Sequence, residues 1–161
     1  MGTSLRTFYL CLIWAGIMTM QLNFTFDSTA TRGLRDSLEL ATHDAGLQIY
    51  NEELVNGNIV FDQSEARRVL EESLKKNLLL DASLQPKPDS FFQDTVQIKF
   101  VDYLDDNNTP EFPTNYINEQ YDIVDTVDGP AIVVVLETTG PRYFTGEKKV
   151  IRQAIVYEYK S

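Results

Sequence analysis

This chain is poor in the residues that carry most protein chemistry. Its 161 residues include one cysteine, Cys11, and one histidine, His43. A single cysteine excludes an intrachain disulfide framework. His43 has neither a second histidine nor a cysteine of the polar part to work with, and no triad of the usual kinds is visible around it. Glu39 stands four residues earlier, so a surface ion pair along one helix is the plain account of His43. No glycine-rich phosphate loop and no Cys/His set at metal-ligand spacing occurs. Positive charge is also scarce. The chain has 14 Lys and Arg against 24 Asp and Glu, a net charge of −10. That sign argues against nucleic acid and against adhesion to anionic lipid by charge, because both need a basic surface. No repeat of solenoid period and no low-complexity tract is present.

What the chain does have is one uncharged apolar run at its start. Phe8 to Phe26 reads FYLCLIWAGIMTMQLNFTF, and Asp27 directly after it is the first acidic residue. Nineteen helical residues reach about 28 Å, close to the roughly 30 Å hydrocarbon core of a bilayer. Three readings stand. The run is a retained signal anchor, a cleaved signal peptide with Ser28-Thr29-Ala30 as the cut, or a buried core helix. The anchor is favoured because helical sequence continues past Ala30 without a break. Lys and Arg near the run (Arg6 before it, Arg32 and Arg35 after it) do not decide orientation. A tail of residues 1–7 is too short to fold alone, so the expectation is a short tail inside and the domain outside. Phe8-Tyr9-Leu10 lacks the small residues of a lipoprotein motif before Cys11.

Residues 27–161 make one domain of ordinary size with a net charge of −11, since Arg6 is the sole charge before Asp27. Arg32 to Tyr50 reads as a helix. Leu34, Leu38, Ala41, Ala45 and Ile49 share one face, while Leu40 and Leu47 fall on roughly the opposite side. A helix apolar on two sides must be covered twice. Leu40 and Leu47 are therefore candidates for a subunit interface; the alternative is a helix sandwiched within its own domain.

Asn56-Gly57 marks a turn and Ile59-Val60-Phe61 a short extended stretch. Asp62-Gln63-Ser64-Glu65 has the form of an N-cap opening a second helix, with Ala66, Val69, Leu70, Leu74 and Leu78 on its apolar face. Pro86-Lys87-Pro88 closes the helical half. Val96, Ile98 and Phe100 alternate with polar residues as in a half-buried strand. The continuous apolar run Ala131 to Leu136 fits a central strand. Val150 to Tyr159 follows the Gly140-Pro141 and Thr145-Gly146 turn signals, and Tyr121 to Val124 is a candidate fourth strand. Helices first and strands after give an α+β class: a long N-terminal helix, membrane-embedded in its first half, and a second helix packed on a small antiparallel sheet.

Two further features invite function. Asp102 to Glu111, DYLDDNNTPE, is dense in oxygen ligands but lacks EF-hand spacing and its turn glycine. It is a calcium loop or a solvated loop between strands. Tyr103, Tyr116, Tyr121, Tyr143, Tyr157 and Tyr159 gather late in the chain, as contact residues or as core. Asn23-Phe24-Thr25 and Asn107-Asn108-Thr109 match the glycosylation pattern, the first inside the membrane run.

The Phe8 to Phe26 segment, the Leu34 to Ile49 helix with Ala41-Thr42-His43-Asp44-Ala45 at its centre, and Ile59-Val60-Phe61-Asp62 with the helix after it resemble the layout of pilin-like proteins. Within these the chain resembles the TadE-like group of bacterial minor pilins and pilus-assembly proteins. The resemblance covers the first half and is one of layout. The chain departs from ordinary type IV pilins in lacking a Gly-Phe cleavage site and a glutamate near the start of the apolar run.

The resulting expectation has three parts: tail 1–7, a transmembrane signal anchor 8–26, and an exterior α+β domain 27–161. The protein would be a non-enzymatic, single-pass protein of the cell membrane, without cofactor. It would contact lipid through residues 8–26 and work by assembly in or beside a pilus-like or secretion apparatus. The alternative is a secreted or anchored module that binds a ligand or protein.

Overall fold

A computed structural model describes residues 2–109, 111–144 and 146–160. The protein is α+β. Its elements are α1 (Gly2–Gly46), α2 (Asn51–Val55), α3 (Gln63–Asn77), β1 (Gln97–Leu104), β2 (Thr114–Asn118), β3 (Ile123–Val127), β4 (Ala131–Thr139) and β5 (Val150–Glu158). One antiparallel sheet has the order β1-β4-β5, and β2 and β3 form a separate antiparallel hairpin.

The dominant element is α1, a single helix of 45 residues. Its sequence contains no proline, and Gly16 and Gly33 do not interrupt it. Its two halves meet different surroundings. Phe8, Leu10, Ile13, Trp14, Ile17 and Phe24 are exposed. Ala30, Leu34, Leu38, Ala41 and Ala45 are fully buried. The expected helical face is therefore correct as far as Ala45. Its last member is not: the helix ends at Gly46 rather than Tyr50, and Ile49 instead bridges Phe61. Tyr50 donates its N–H to Val60 O at 2.9 Å, and Asp62 donates to Gln48 O at 2.9 Å. This long-range pairing takes the chain out of the helix.

α3 opens as its sequence requires. Asp62 accepts the Glu65 N–H at 3.0 Å, and Ser64 Oγ also donates to Asp62. Ala66, Leu70 and Leu74 bury against α1, and Val69 stays half-exposed. The helix runs to Asn77, and Leu78 is its C-cap. Gly57 takes φ +86° at the turn after α2, a conformation that glycine adopts without strain.

β4 explains its own composition. Ile132, Val134 and Leu136 point into the core formed with α1 and α3. Val133 and Val135 point the other way, into a second cluster with Ile123, Phe100, Tyr116 and Val156. A central strand covered on both faces reads as a continuous apolar run. The second cover is the β2–β3 hairpin. β3 begins at Ile123 rather than Tyr121 and runs on to Val127, and β2 is an additional strand. Thr145, of the expected Thr145-Gly146 turn, lies outside the described residues, as does Pro110 of the acidic loop.

The acidic loop joins β1 to β2 and is solvated at Asp106, Asn107, Asn108 and Glu111, as a loop between strands is, but its carboxylates are tied to the fold. Asp102 belongs to β1, and its carboxylate accepts from Tyr116 Oη at 3.0 Å. Burial pushes the Tyr116 phenol up to about 12, so it remains a donor at neutral pH. Asp105 is 2% exposed and accepts N–H groups from Phe61, Asn107 and Asn108. Asp106 accepts from Ile59 N–H at 2.6 Å. These carboxylates fasten the 59–61 segment to the end of β1.

Asp105→Ala should therefore strand the buried Phe61 N–H and loosen the turn at Asn107 and Asn108. A loss of about 1–3 kcal/mol is expected, read as a lower urea midpoint of the detergent-solubilised full-length protein. Asp106→Ala, at an exposed position, should cost less.

Candidate functional site

The features that bear on function lie along α1, at two heights. The lower one is the junction between the uncovered apolar half and the folded domain. Asp27, the first charge after the run, is clamped by Arg142 through two hydrogen bonds, Nη1–Oδ1 at 2.5 Å and Nη2–Oδ2 at 2.9 Å. Both side chains are largely buried. A bidentate guanidinium–carboxylate pair fixes orientation as well as distance. The close fit extends to Gly140, where an added Cβ would lie 2.6 Å from Asp27 Oδ1. Phe26 packs on Tyr143 (ring centroids 4.9 Å apart) and on Phe91 (6.4 Å). The loop of residues 140–149 is in turn tied down by Lys148, whose Nζ sits 2.6 Å from Asp94. The Asp94 carboxyl is held below its usual range by Lys148 and by the Thr139 hydroxyl.

This junction changes how the apolar run must be understood. The buried-core-helix reading of residues 8–26 is overturned, because the domain leaves the run uncovered. The helix is long and apolar enough to cross a membrane. Ser28-Thr29-Ala30, the expected cut of a cleaved signal, lies inside a helix whose Ala30 is wholly buried in the core. Cutting there would remove Asp27 from Arg142.

The upper feature holds the predicted interface residues. Leu40 is 49% and Leu47 51% exposed, so the arrangement with both helix sides buried in the chain's own domain does not occur. Both residues border one open groove of about 410 Å³ between α1 and α3. Val69, Glu72, Lys76 and Asn77 supply its other bank. Its floor is polar, since Ser73 Oγ donates to Asp44 at 2.8 Å and Asn77 Nδ2 donates to Ser73 at 3.2 Å.

The lone histidine is near this groove. His43 does not pair with Glu39, because Arg35 takes that carboxylate at 2.8 Å. His43 Nδ1 is 3.5 Å from Asp44, and its ring meets Tyr157 edge-on at 5.3 Å. Ser73, Asp44 and His43 are thus neighbours in the wrong order for nucleophilic chemistry. A nucleophilic hydroxyl must face the imidazole that takes its proton; here Ser73 faces the carboxylate. Among the described residues no group of three or more His, Cys, Asp or Glu side chains is placed to hold a metal ion.

The late tyrosines divide. Tyr103 lies over Phe61, Tyr121 donates to Lys99 O at 3.2 Å, and Tyr159 packs against the main core. Tyr157 closes over Gly46, where a Cβ would stand 2.5 Å from its ring. Tyr143 alone among the six is largely exposed. Sequence reasoning did not find the Asp27–Arg142 clamp or the carboxylate bracket of Asp105. Their partners are 115 and 44 residues apart, and no local pattern signals either.

Leu40→Ser with Leu47→Ser should shift stability by no more than about 1 kcal/mol, as exposed positions do. Leu38→Ser should cost about 3–5 kcal/mol, because it places a hydroxyl in a closed apolar site. Thermal unfolding of the detergent-solubilised full-length protein compares the two.

Compared with protein-family models, curated proteins and solved structures, the chain finds no match.

Proposed function

We propose that this chain is a non-enzymatic protein of the bacterial cell membrane, anchored by one span with its C-terminal domain outside. It acts by assembly in or beside a pilus-like or secretion apparatus of the TadE-like kind. The observation that carries the reading is the continuity of α1. One helix supplies an uncovered apolar half and then the core of the domain, with Leu40 and Leu47 left outward. In an assembly subunit such a rod would set the height at which the domain meets its neighbours. The acidic surface suits an exterior domain that stays dispersed until it docks.

A second reading, a secreted or anchored binding module, has one observation in its favour. Ile117 and Val124 are opposed across β2 and β3, and both are exposed. The tyrosines and the acidic loop lend it less, since most of them are spent on internal packing.

The test uses full-length protein in membranes. The intact mass should include residues 8–26, and chemical crosslinking should give species larger than the monomer. Leu40→Ser with Leu47→Ser should reduce those species several-fold while leaving the protein folded and membrane-bound. A mature chain beginning at Thr31 in the soluble fraction would refute the anchor. Unchanged crosslinking in the variant would move the interface elsewhere, and an Ile117→Ser, Val124→Ser pair then tests the second reading.

A further inference from the structure

We infer that the loop carrying Tyr143 and Phe144 is a second membrane contact, an aromatic foot seated in the interfacial layer of the bilayer that α1 crosses. This rests on the reading that residues 8–26 span a membrane. The foot itself follows from where the loop stands along the helix. Arg142 grips Asp27, Tyr143 packs on Phe26, and a Cβ at Gly146 would lie 3.4 Å from Asn23 Nδ2. Arg142, Tyr143 and Gly146 thus stand beside α1 at the levels of Asp27, Phe26 and Asn23, a span of about 6 Å that enters the apolar run.

The bilayer can be placed independently. A hydrocarbon core of about 30 Å takes about 20 helical residues. Counting back from Phe24 reaches Leu5, and Arg6 then lies where its long side chain extends to the opposite surface. In this frame the level of Asn23 and Phe24 is the boundary between hydrocarbon and headgroups. The loop meets that boundary with Tyr143 53% and Phe144 44% exposed. Aromatic side chains with an apolar body concentrate at this depth of a membrane, and tyrosine adds a polar tip that stays hydrated.

Charge does not explain the contact. Arg142 is matched by Asp27, and Lys148 by Asp94. Glu147 offsets Lys149 in the remainder of the loop. The surface is close to neutral in a domain that is otherwise strongly acidic, so it suits zwitterionic lipid as well as anionic lipid. Through the Asp27–Arg142 clamp, the foot gives the domain two points of contact with the membrane. A single helix leaves the domain free to rotate and tilt; two points fix which side faces away.

Depth-resolved fluorescence quenching tests this with full-length protein in phosphatidylcholine vesicles, with and without phosphatidylglycerol. Trp14 is the only native tryptophan and lies near the middle of the span, so lipid brominated deep in the acyl chain reports insertion of α1. Tyr143→Trp and Phe144→Trp are each introduced into Trp14→Phe. Tyr50→Trp in the same background, exposed beyond the far end of α1, is the aqueous control. The expected result is that lipid brominated near the headgroup quenches the reporters at 143 and 144 several-fold more than the one at 50. Aqueous iodide should show the reverse order, and the pattern should be the same in both lipids. If Trp14 is quenched by deep bromine while both loop reporters behave like position 50, the foot is wrong and the span stands. If Trp14 also escapes brominated lipid, both readings fall. Quenching of the loop that appears only with phosphatidylglycerol would overturn the aromatic basis and assign the contact to lysine charge.

Discussion

The structure depends on one helix that changes its surroundings along its length. From Phe8 to Phe24 α1 is uncharged, mostly apolar and mostly exposed, and from Ala30 to Ala45 one face of the same helix is the centre of a packed core. The change happens within two turns, at Asn23 to Ala30, and the Asp27–Arg142 clamp marks it. At about 1.5 Å per residue the rod is about 67 Å long. It is continuous and contains no proline or glycine pair, the usual sites of a kink. The apolar half and the domain therefore do not meet at a linker. They are one element, and the core residues of α1 begin at Ala30, within one turn of the Asp27–Arg142 clamp.

The sheet is organised around that rod. Ile132, Val134 and Leu136 meet the helical layer, and without Leu34, Leu38 and Ala41 they would lie open to water. The opposite face of β4 has its own cover in the β2–β3 hairpin, which explains why one strand can be apolar at six successive positions, Ala131 to Leu136. The carboxylates of Asp102 and Asp105 serve the same construction. One orders Tyr116 of the hairpin, and the other fastens the chain leading into α3. Acidic residues in a loop rich in oxygen are commonly read as ligands. Here they are acceptors for the protein's own donors.

The parts of this fold that depend on local periodicity were readable in the sequence. The 3–4 spacing of Leu34, Leu38, Ala41 and Ala45 marked the buried face, and the offset of Leu40 and Leu47 marked residues outside it. The apolar run of β4 and the Asp62 cap were equally plain, because each is set by neighbours within a few residues. What required partners far along the chain was hidden. Ile49 continues the helical spacing, yet its pairing with Phe61 ends the helix before it. β2 alternates Asn115 and Ile117 outward with Tyr116 inward, so its exposed face is half apolar and gives no clean pattern. Glu39 had two basic neighbours at equal spacing, Arg35 and His43, and it pairs with Arg35.

The position of the open groove constrains what can occupy it. If α1 crosses a membrane as proposed, with the hydrocarbon boundary at Phe24, Leu40 stands 16 residues beyond it, and Leu47 lies one residue past the end of α1. At the helical rise this would place the pair about 25–35 Å above that boundary. A neighbouring transmembrane helix ends well below that height unless it too continues outward. The groove is also mixed in character, with Leu40, Leu47 and Val69 set against Asp44, Glu72 and Lys76. A partner that covers it must bring apolar side chains to the leucines and leave the charged bank in water or paired. A helix lying alongside α1 would satisfy both conditions; in the proposed assembly that helix would be the same segment of a second subunit. Under the proposed assembly, contact within the bilayer alone would leave the leucines bare, whereas domains packed side by side above it would cover them.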